Sequence, residues 1–221
     1  MSADPADPAS FRADRLVSDV ESLRAHLGLD QMDLLAHSAG AILATLYAAA
    51  HPERLSRLIL VTPGLAAAGV EGSEEDRSAA LGRRETEPWY PSALAALEMI
   101  FAGSRSLEDF RASRPFYYGR WDETAQAHAT AGVSERHQAA REGFFADLTF
   151  DVPAIRSALE KLTAPVLLYA GEADPLVPPA LAEQAAPLFS NATVVVQPGA
   201  GHFPWIDDPA AFAAAVNSFL A

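Results

Sequence analysis

The chain has 221 residues, of which 50% are hydrophobic, with a net charge of −13 and no cysteine. This length and apolar content are enough for one large domain with a substantial core. The acidic balance argues against nucleic acid or an anionic membrane as a partner, and the lack of cysteine excludes disulfides and thiolate metal sites.

The N-terminal segment and the longest apolar run bear on targeting. Residues 1–10 carry neither a basic region nor an apolar region, so the sequence predicts no signal peptide. The longest apolar run, residues 39–50, is too short to span a bilayer. We therefore expect a cytoplasmic protein without a membrane partner.

The first predicted element is an amphipathic helix over residues 10–28. Ser10 is suited to cap its N-terminus, and Gly28 is suited to end it. Apolar residues recur at helical spacing and predict one inward-facing stripe. The stripe comprises Leu16, Val20, Leu23 and Leu27.

Two buried strands and one helix are predicted next. Residues 32–37 form the first apolar run, and the alanine-rich residues 39–50 favour a helix that stops at Pro52. Residues 58–61 read as a second buried strand.

The pattern then changes over residues 65–150, where no strand of the parallel type is predicted. Short helices are expected at residues 91–101 and 106–113, broken by glycine and proline. We expect a helical cap inserted over the active-site edge of a sheet. Strand and helix alternation then resumes, with helices at residues 153–161, 179–188 and 209–220 and strands at residues 165–170 and 193–197.

This order of elements predicts an α/β fold, with a parallel sheet flanked by helices. Three regions follow from it. Residues 1–64 form the first part of the core, residues 65–150 the helical cap insertion, and residues 151–221 the second part of the core.

Ser38 stands between the first strand and the helix that follows it, in Ala36-His37-Ser38-Ala39-Gly40. A serine at such a tight turn, with small residues two before and two after it, is typical of a nucleophile elbow. Standing alone, the serine would also suit an ordinary helix N-cap. His37 is assigned a packing role, because its side chain points away from the turn.

Asp174 and His202 make the catalytic interpretation stronger. Each follows a predicted buried strand, Asp174 after residues 165–170 and His202 after residues 193–197. Open parallel sheets place their active sites in the loops at the carboxyl ends of the strands. The chain order Ser, Asp, His is that of the α/β-hydrolase triad.

Each of these residues also has an alternative interpretation. Asp174 would suit the cap of the turn at Pro175, with Glu172 as the fallback acid. His202 would suit a structural histidine, although its glycine-rich setting predicts exposure at a loop tip. No histidine pair has metal-ligand spacing with a carboxylate, so neither a metal nor a cofactor is expected.

Residues 14–63 and 152–220 resemble the α/β-hydrolase superfamily throughout, including His51-Pro52-Glu53-Arg54. Placement of the cap is similar to that of the proline-iminopeptidase-like serine hydrolases, although the tryptophan that follows the nucleophile in those peptidases is absent. The resemblance implies a catalytic triad of Ser38, Asp174 and His202. It also implies an oxyanion hole that includes the Ala39 backbone N–H.

The same resemblance implies an N-terminally truncated chain. Relatives begin with further strands and a His-Gly-Gly loop that supplies the second oxyanion donor, and this chain has neither. The elbow strand is then expected to expose an unpaired edge, which predicts self-association. Loss of one oxyanion donor typically costs about 2.7–4 kcal/mol of transition-state stabilisation, so activity of this short chain is expected to be reduced.

The resulting functional hypothesis is a serine hydrolase that cleaves an ester, an amide or an N-terminal peptide bond of a small-molecule or short-peptide substrate. The alternatives are a catalytically impaired or non-catalytic ligand-binding relative, and a perhydrolase that uses the same triad. Cap acids such as Glu87 and Glu98 suit a substrate amine or a solvated helix face. Cap aromatics suit either a substrate pocket or packing onto the sheet: Trp89, Tyr90, Phe116, Tyr117, Tyr118 and Trp121.

Overall fold

The computed structural model describes residue 5 and residues 7–134 and 137–221. Residues 1–4 and 6, within the segment predicted to hold no signal peptide, lie outside the described residues. The described chain divides into two compact units. The first draws on residues 1–71, 136–168 and 184–193, and the second on residues 72–135, 169–183 and 194–221.

The strands form a four-stranded sheet in the order β1-β2-β3-β4, and β1 pairs with β2 in parallel. Each strand lies within two residues of its predicted bounds, except that β2 begins three residues earlier than expected. The strands are β1 Met32–His37, β2 Leu55–Val61, β3 Val166–Gly171 and β4 Ala192–Gln197.

The first unit holds β1, β2 and four helices. β2 contributes a continuous buried run to the apolar core there, because Leu58–Val61 are all at most 2% exposed. Burying an aliphatic side chain of this size contributes roughly 1.5–3 kcal/mol. The helices are α1 Ala13–His26, α2 Gly40–Ala50, α7 Gln138–Phe144 and α8 Val152–Leu159.

Helix α1 differs from its prediction at both its start and its buried face. It begins at Ala13, and Ser10 lies in a preceding 3-10 turn that is capped by Asp7. Leu23 and Leu27 are 58% and 60% exposed, whereas Arg24 is buried. The predicted stripe was therefore wrong in its C-terminal half.

Arg24 is buried because Glu21 neutralises it. An Arg24 Nη2 atom lies 2.6 Å from Glu21 Oε1, and Tyr47 donates its hydroxyl hydrogen to Glu21 Oε2 at 2.8 Å. The hydrogen bond from Arg24, and to a lesser extent that from Tyr47, lowers the pKa of Glu21 to about 2. The ion pair allows the charged Arg24 side chain to be buried, where hydropathy alone predicts the neighbouring Leu23.

The second unit is built mainly from helices. Within its described residues, no strand interrupts the segment between β2 and β3, as the sequence predicts for the cap. The division into core and cap regions stays a prediction. The helices are α3 Glu74–Gly82, α4 Tyr90–Phe101, α5 Leu107–Ala112, α6 Glu123–Ser134, α10 Pro204–Asp207 and α11 Pro209–Leu220, while α9 Pro179–Ala185 is divided between the units.

Helix α11 matches its prediction closely. Pro209 occupies its first turn, and the Asp208 carboxylate accepts the N–H groups of Ala210 and Ala211 at 3.1 and 3.0 Å. Both residues act locally, which explains why sequence alone located this helix. Among the helices described, none combines the length and apolar character needed to cross a membrane.

The outer edge of β1 gives the expected self-association a specific test. Leu35 on this edge is 49% exposed, and no described strand pairs with that side of β1. An open edge with an apolar side chain is a template for pairing with a second copy. We expect the wild-type chain to gain mass with concentration in light scattering, and Leu35→Lys to remain a monomer. Met99→Lys, at a 53% exposed helix position, is the control and should behave as wild type; a monomeric wild type at every concentration would contradict the prediction.

The Glu21–Arg24 pair predicts a pH dependence of stability. A carboxylate whose folded pKa is lowered adds stability above its unfolded pKa, here near 4.5, and loses it as the pH falls towards about 2. We expect Glu21→Gln to lower the free energy of unfolding at neutral pH, and the difference from wild type to vanish towards pH ~2. Denaturant titrations across pH measure this. Asp19→Asn, at an exposed site on the same helix, is the control; an equal loss in both variants would refute the role of the pair.

Candidate active site

Ser38 adopts the left-handed backbone conformation at the end of β1. Its φ is +53°, a region that residues other than glycine rarely occupy. Three backbone hydrogen bonds of 3.0 Å hold it there: the Ser38 N–H donates to Val61 O, and Ser38 O accepts from Ala41 N and Gly64 N. A strained residue persists only where its surroundings fix it in this way.

The residues around Ser38 explain why the turn forms. A Cβ added at Gly40 would make ordinary van der Waals contact with the Ala36 Cβ, at 4.0 Å, so these two small residues are neighbours across the turn. Ala39 is the N-cap of α2 and offers no side-chain cap. Within the part of the chain that the structure describes, no acceptor takes the Ala39 N–H. This N–H is therefore an available donor at the positive end of a helix.

Asp174 and His202 lie together in the second unit, as the sequence predicts for a triad acid and base. Asp174 Oδ2 is 2.7 Å from His202 Nδ1, and the two residues are 0% and 5% exposed. Asp174 Oδ1 accepts the N–H groups of Leu176 and Val177 at 2.9 and 3.1 Å. An ionised carboxylate only accepts, so Nδ1 carries the hydrogen and Nε2 is left as the acceptor. Asp174 thus caps the turn and orients the histidine at once.

The burial of His202 corrects the prediction that it is exposed at a loop tip. Its ring packs against the rings of Tyr117 and Phe203, with centroids 5.8 and 5.4 Å apart. Its backbone N–H donates to Tyr117 O at 2.8 Å. A Cβ on Gly201 would lie 2.7 Å from the same oxygen, which no side chain tolerates. Gly201 therefore allows close contact with the Tyr117 backbone, and it does not indicate an exposed loop tip.

Glu172, the fallback acid, is engaged elsewhere. Its carboxylate lies 3.1 Å from Arg83 and accepts the Gly199 N–H at 2.9 Å. Of the two candidate acids, only Asp174 has a hydrogen bond to His202 in the structure. Ser38 and Ala39 belong to the first unit, and their combination with Asp174 and His202 into one site stays a prediction.

Asp207 is a buried residue of this region that sequence reasoning missed. It is 6% exposed, and its Oδ1 and Oδ2 accept the N–H groups of Gly119 and Gly201 at 2.9 and 2.7 Å. Burial raises the pKa of Asp207, and the backbone hydrogen bonds partly oppose that rise. The sequence offers two adjacent acids, Asp207 and Asp208, and only the second carries a recognisable helix-capping signal.

The cap aromatics pack within the second unit, which is one of their two predicted roles, and a substrate pocket stays a prediction. Phe116 and Tyr118 are almost fully buried and pack the second unit, and Trp89 meets Phe116 edge to face at 5.0 Å. Trp121 lines a pocket. Glu87 Oε1 lies 3.6 Å from Arg84 Nη2, and its side chain is exposed, as expected for a solvated helix face. Over residues 7–134 and 137–221, no group of three or more His, Asp or Glu side chains is arranged to hold a metal ion.

Comparison with known proteins gives a match to the alpha/beta hydrolase fold family over residues 2–209. The chain belongs to the α/β-hydrolase fold family. A Bacillus subtilis (strain 168) protein, provisionally named 2-succinyl-6-hydroxy-2,4-cyclohexadiene-1-carboxylate synthase, is 26% identical over 98% of this chain and 75% of its own length. The proline iminopeptidase of Levilactobacillus brevis is 26% identical over 98% of this chain and 74% of its own length.

Solved structures show the same fold. The esterase RhEst1 from Rhodococcus sp. ECU1013 superposes with a TM-score of 0.72 at 20% identity, over 99% of this chain and 76% of that one. The family match and the solved structure agree on the α/β-hydrolase fold. The parallel sheet and flanking helices predicted from sequence are thereby confirmed.

Asp207 gives this hydrolase a testable stability prediction. In Asp207→Asn an amide NH2 faces one of the two N–H donors, so a hydrogen bond is lost and a buried donor is left unpaired. We expect the free energy of unfolding to fall by about 1–3 kcal/mol in urea titrations. Asp208→Asn is the matched control, because asparagine caps helices as well as aspartate, and it should change by less than ~0.5 kcal/mol. Equal effects of the two changes would show that the clamp, meaning the two hydrogen bonds from Gly119 and Gly201 to Asp207, does not stabilise the fold.

Proposed function

We propose that this α/β hydrolase is a serine hydrolase that cleaves an ester, an amide or an N-terminal peptide bond through a covalent acyl-enzyme. The observation that carries the proposal is the left-handed Ser38 between β1 and α2. A short polar residue held in this conformation at a strand-to-helix turn is the signature of an exposed nucleophile. The buried Asp174–His202 hydrogen bond supports it, because a serine needs an oriented base.

In the proposed mechanism, Ser38 Oγ attacks the acyl carbonyl carbon while its proton passes to His202 Nε2. The carbonyl π electrons move to oxygen, and the Ala39 N–H stabilises the oxyanion. Asp174 holds the Nδ1 hydrogen and stabilises the imidazolium. Collapse of the intermediate expels the leaving group, which takes the proton from His202.

The second half of the cycle regenerates the enzyme. His202 Nε2 removes a proton from water, and the resulting hydroxide attacks the acyl-enzyme carbonyl. The second tetrahedral intermediate expels Ser38 Oγ, which regains its proton from His202, and the carboxylic acid leaves. No cofactor takes part in these steps.

The substrate class is proposed as a small molecule or a short peptide. The relatives support a hydrolase of this kind, since their names include an esterase and a proline iminopeptidase. In the first unit, the Ala39 N–H is the oxyanion donor that the described residues provide.

Labelling with a fluorophosphonate, followed by intact-mass analysis, tests the proposal. We expect one label per wild-type chain and none on Ser38→Ala, because only an activated serine hydroxyl attacks the reagent. Asp174→Asn should slow labelling by up to ~10⁴-fold, since the histidine loses its orienting acceptor.

Glu172→Gln is the matched control and should label at the wild-type rate, because Glu172 bonds to Gly199 and Arg83. Circular dichroism verifies that each variant is folded. A folded wild-type chain that takes no label would overturn the proposal and leave the chain a non-catalytic, ligand-binding relative. Equal labelling of wild type and Ser38→Ala would assign the nucleophile to another residue.

A further inference from the structure

The second unit contains a pocket whose charged lining is cationic. Its volume is about 560 Å³, inside the ~300–1,000 Å³ range typical of small-molecule sites. Leu107 and Arg111 lie on α5, Ala129 lies on α6, and Trp121 lies just before α6. Arg114 lies in the turn between these helices.

Both arginines of the pocket lack an acidic partner among the residues that the structure describes. Neither Arg111 nor Arg114 has an ion pair or a side-chain hydrogen bond with any residue that the structure describes. The Nε–H of Arg114 is buried without an acceptor. The chain has 29 acidic against 16 basic residues, so a counter-ion would have been easy to provide. Two like charges that share one pocket repel each other, and a bound anion relieves that cost.

The remaining polar side chains of the pocket each donate a local hydrogen bond. Gln126 donates its amide to Trp121 O at 3.2 Å, and Thr130 donates its hydroxyl to Gln126 O at 2.8 Å. These hydrogen bonds lie within α6 and the residues just before it, and the guanidinium groups are the charged donors of the pocket. Leu107, Trp121 and Ala129 add apolar and aromatic surface beside those donors.

The pocket adjoins His202 through one aromatic ring. The Arg114 guanidinium carbon lies 4.9 Å from the centroid of the Tyr117 ring. The Tyr117 ring in turn meets the His202 ring at 5.8 Å and 90°. All three residues belong to the second unit, so the path from pocket to proposed base lies within one compact body.

We propose that this pocket binds a small organic carboxylate with an aromatic or branched apolar body. Arg111 and Arg114 pair with the carboxylate, for which a guanidinium offers two parallel N–H donors. Trp121 and Leu107 pack against the apolar body. The site requires no reaction at Ser38, so it holds whether or not the chain is a hydrolase.

Isothermal titration calorimetry with benzoate tests the site, on the wild-type chain and on Ser38→Ala. Both should bind one benzoate with equal affinity, which separates this site from the proposed chemistry. Benzamide, which has the same shape without the charge, should bind at least ~10-fold more weakly, because it lacks the charge-assisted hydrogen bonds. Affinity should fall as salt is raised, since ions screen the attraction.

Arginine variants locate the binding. Arg111→Gln and Arg114→Gln should each weaken benzoate binding by at least ~10-fold, and Arg114→Lys should retain part of it. Arg77→Gln is the matched control in the same unit, because Arg77 is already paired with Glu74 at 2.8 Å, and it should bind within twofold of wild type. Arg111 is exposed, so its variant is expected to fold even where Arg114→Gln does not.

The outcomes separate cleanly. Saturable benzoate binding that every folded arginine variant weakens, with benzamide binding at least ~10-fold more weakly, supports the proposal. Absent binding, equal binding of benzamide, or an Arg111→Gln chain that binds as tightly as wild type would each overturn it. A wild type that binds benzoate but takes no fluorophosphonate label would sustain this site and reject the hydrolase mechanism.

Discussion

The hydrogen bond between two buried side chains, Asp174 and His202, is the interaction on which the second unit depends. A carboxylate at 0% exposure is very costly unless every acceptor site is used. Asp174 meets this with the His202 ring on one oxygen and two backbone N–H groups on the other. The turn after β3 and the loop after β4 are therefore fixed together, because moving either one leaves a buried charge unpaired. Asp207 holds the second loop from its other side, through the N–H of Gly201.

In the first unit, the main constraint is the strained backbone of Ser38. A residue other than glycine in the left-handed region costs roughly 1–3 kcal/mol. Ser38 is held there by bonds to Val61 and Gly64, which lie at the end of β2 and just beyond it. The parallel register pairs His37 with Val61 immediately before the turn. The position of the proposed nucleophile is thus a consequence of strand register, and a slip of one residue would remove both anchors.

Sequence reasoning succeeded where the signal is local. The four strands, the turn at Ser38 and the capped helix α11 follow from short apolar runs, small residues and the Asp208-Pro209 pair. It was wrong where the outcome depends on distant partners. Ser10 does not begin α1, and Leu23 lies outside while Arg24 lies inside, because Glu21 and Tyr47 meet the arginine. The burial of His202 and the clamp formed by Asp207 depend on contacts with Tyr117 and Gly119, which are far away in sequence. The periodicity of apolar residues carries no information about such contacts.

For the proposed pocket, the local distribution of charge matters more than the net charge of the chain. A net charge of −13 predicts repulsion of nucleic acid, because a long polyanion senses the summed field of a whole surface. A small carboxylate senses charges only within the Debye length, about 8 Å at physiological ionic strength. Among the described residues that line the proposed pocket, the charged side chains are those of Arg111 and Arg114. Near His202, the carboxylates of Asp174 and Asp207 accept hydrogen bonds from backbone N–H groups. An acidic protein can therefore keep an anion site, provided that its local carboxylates are engaged by the backbone and leave its arginines uncompensated.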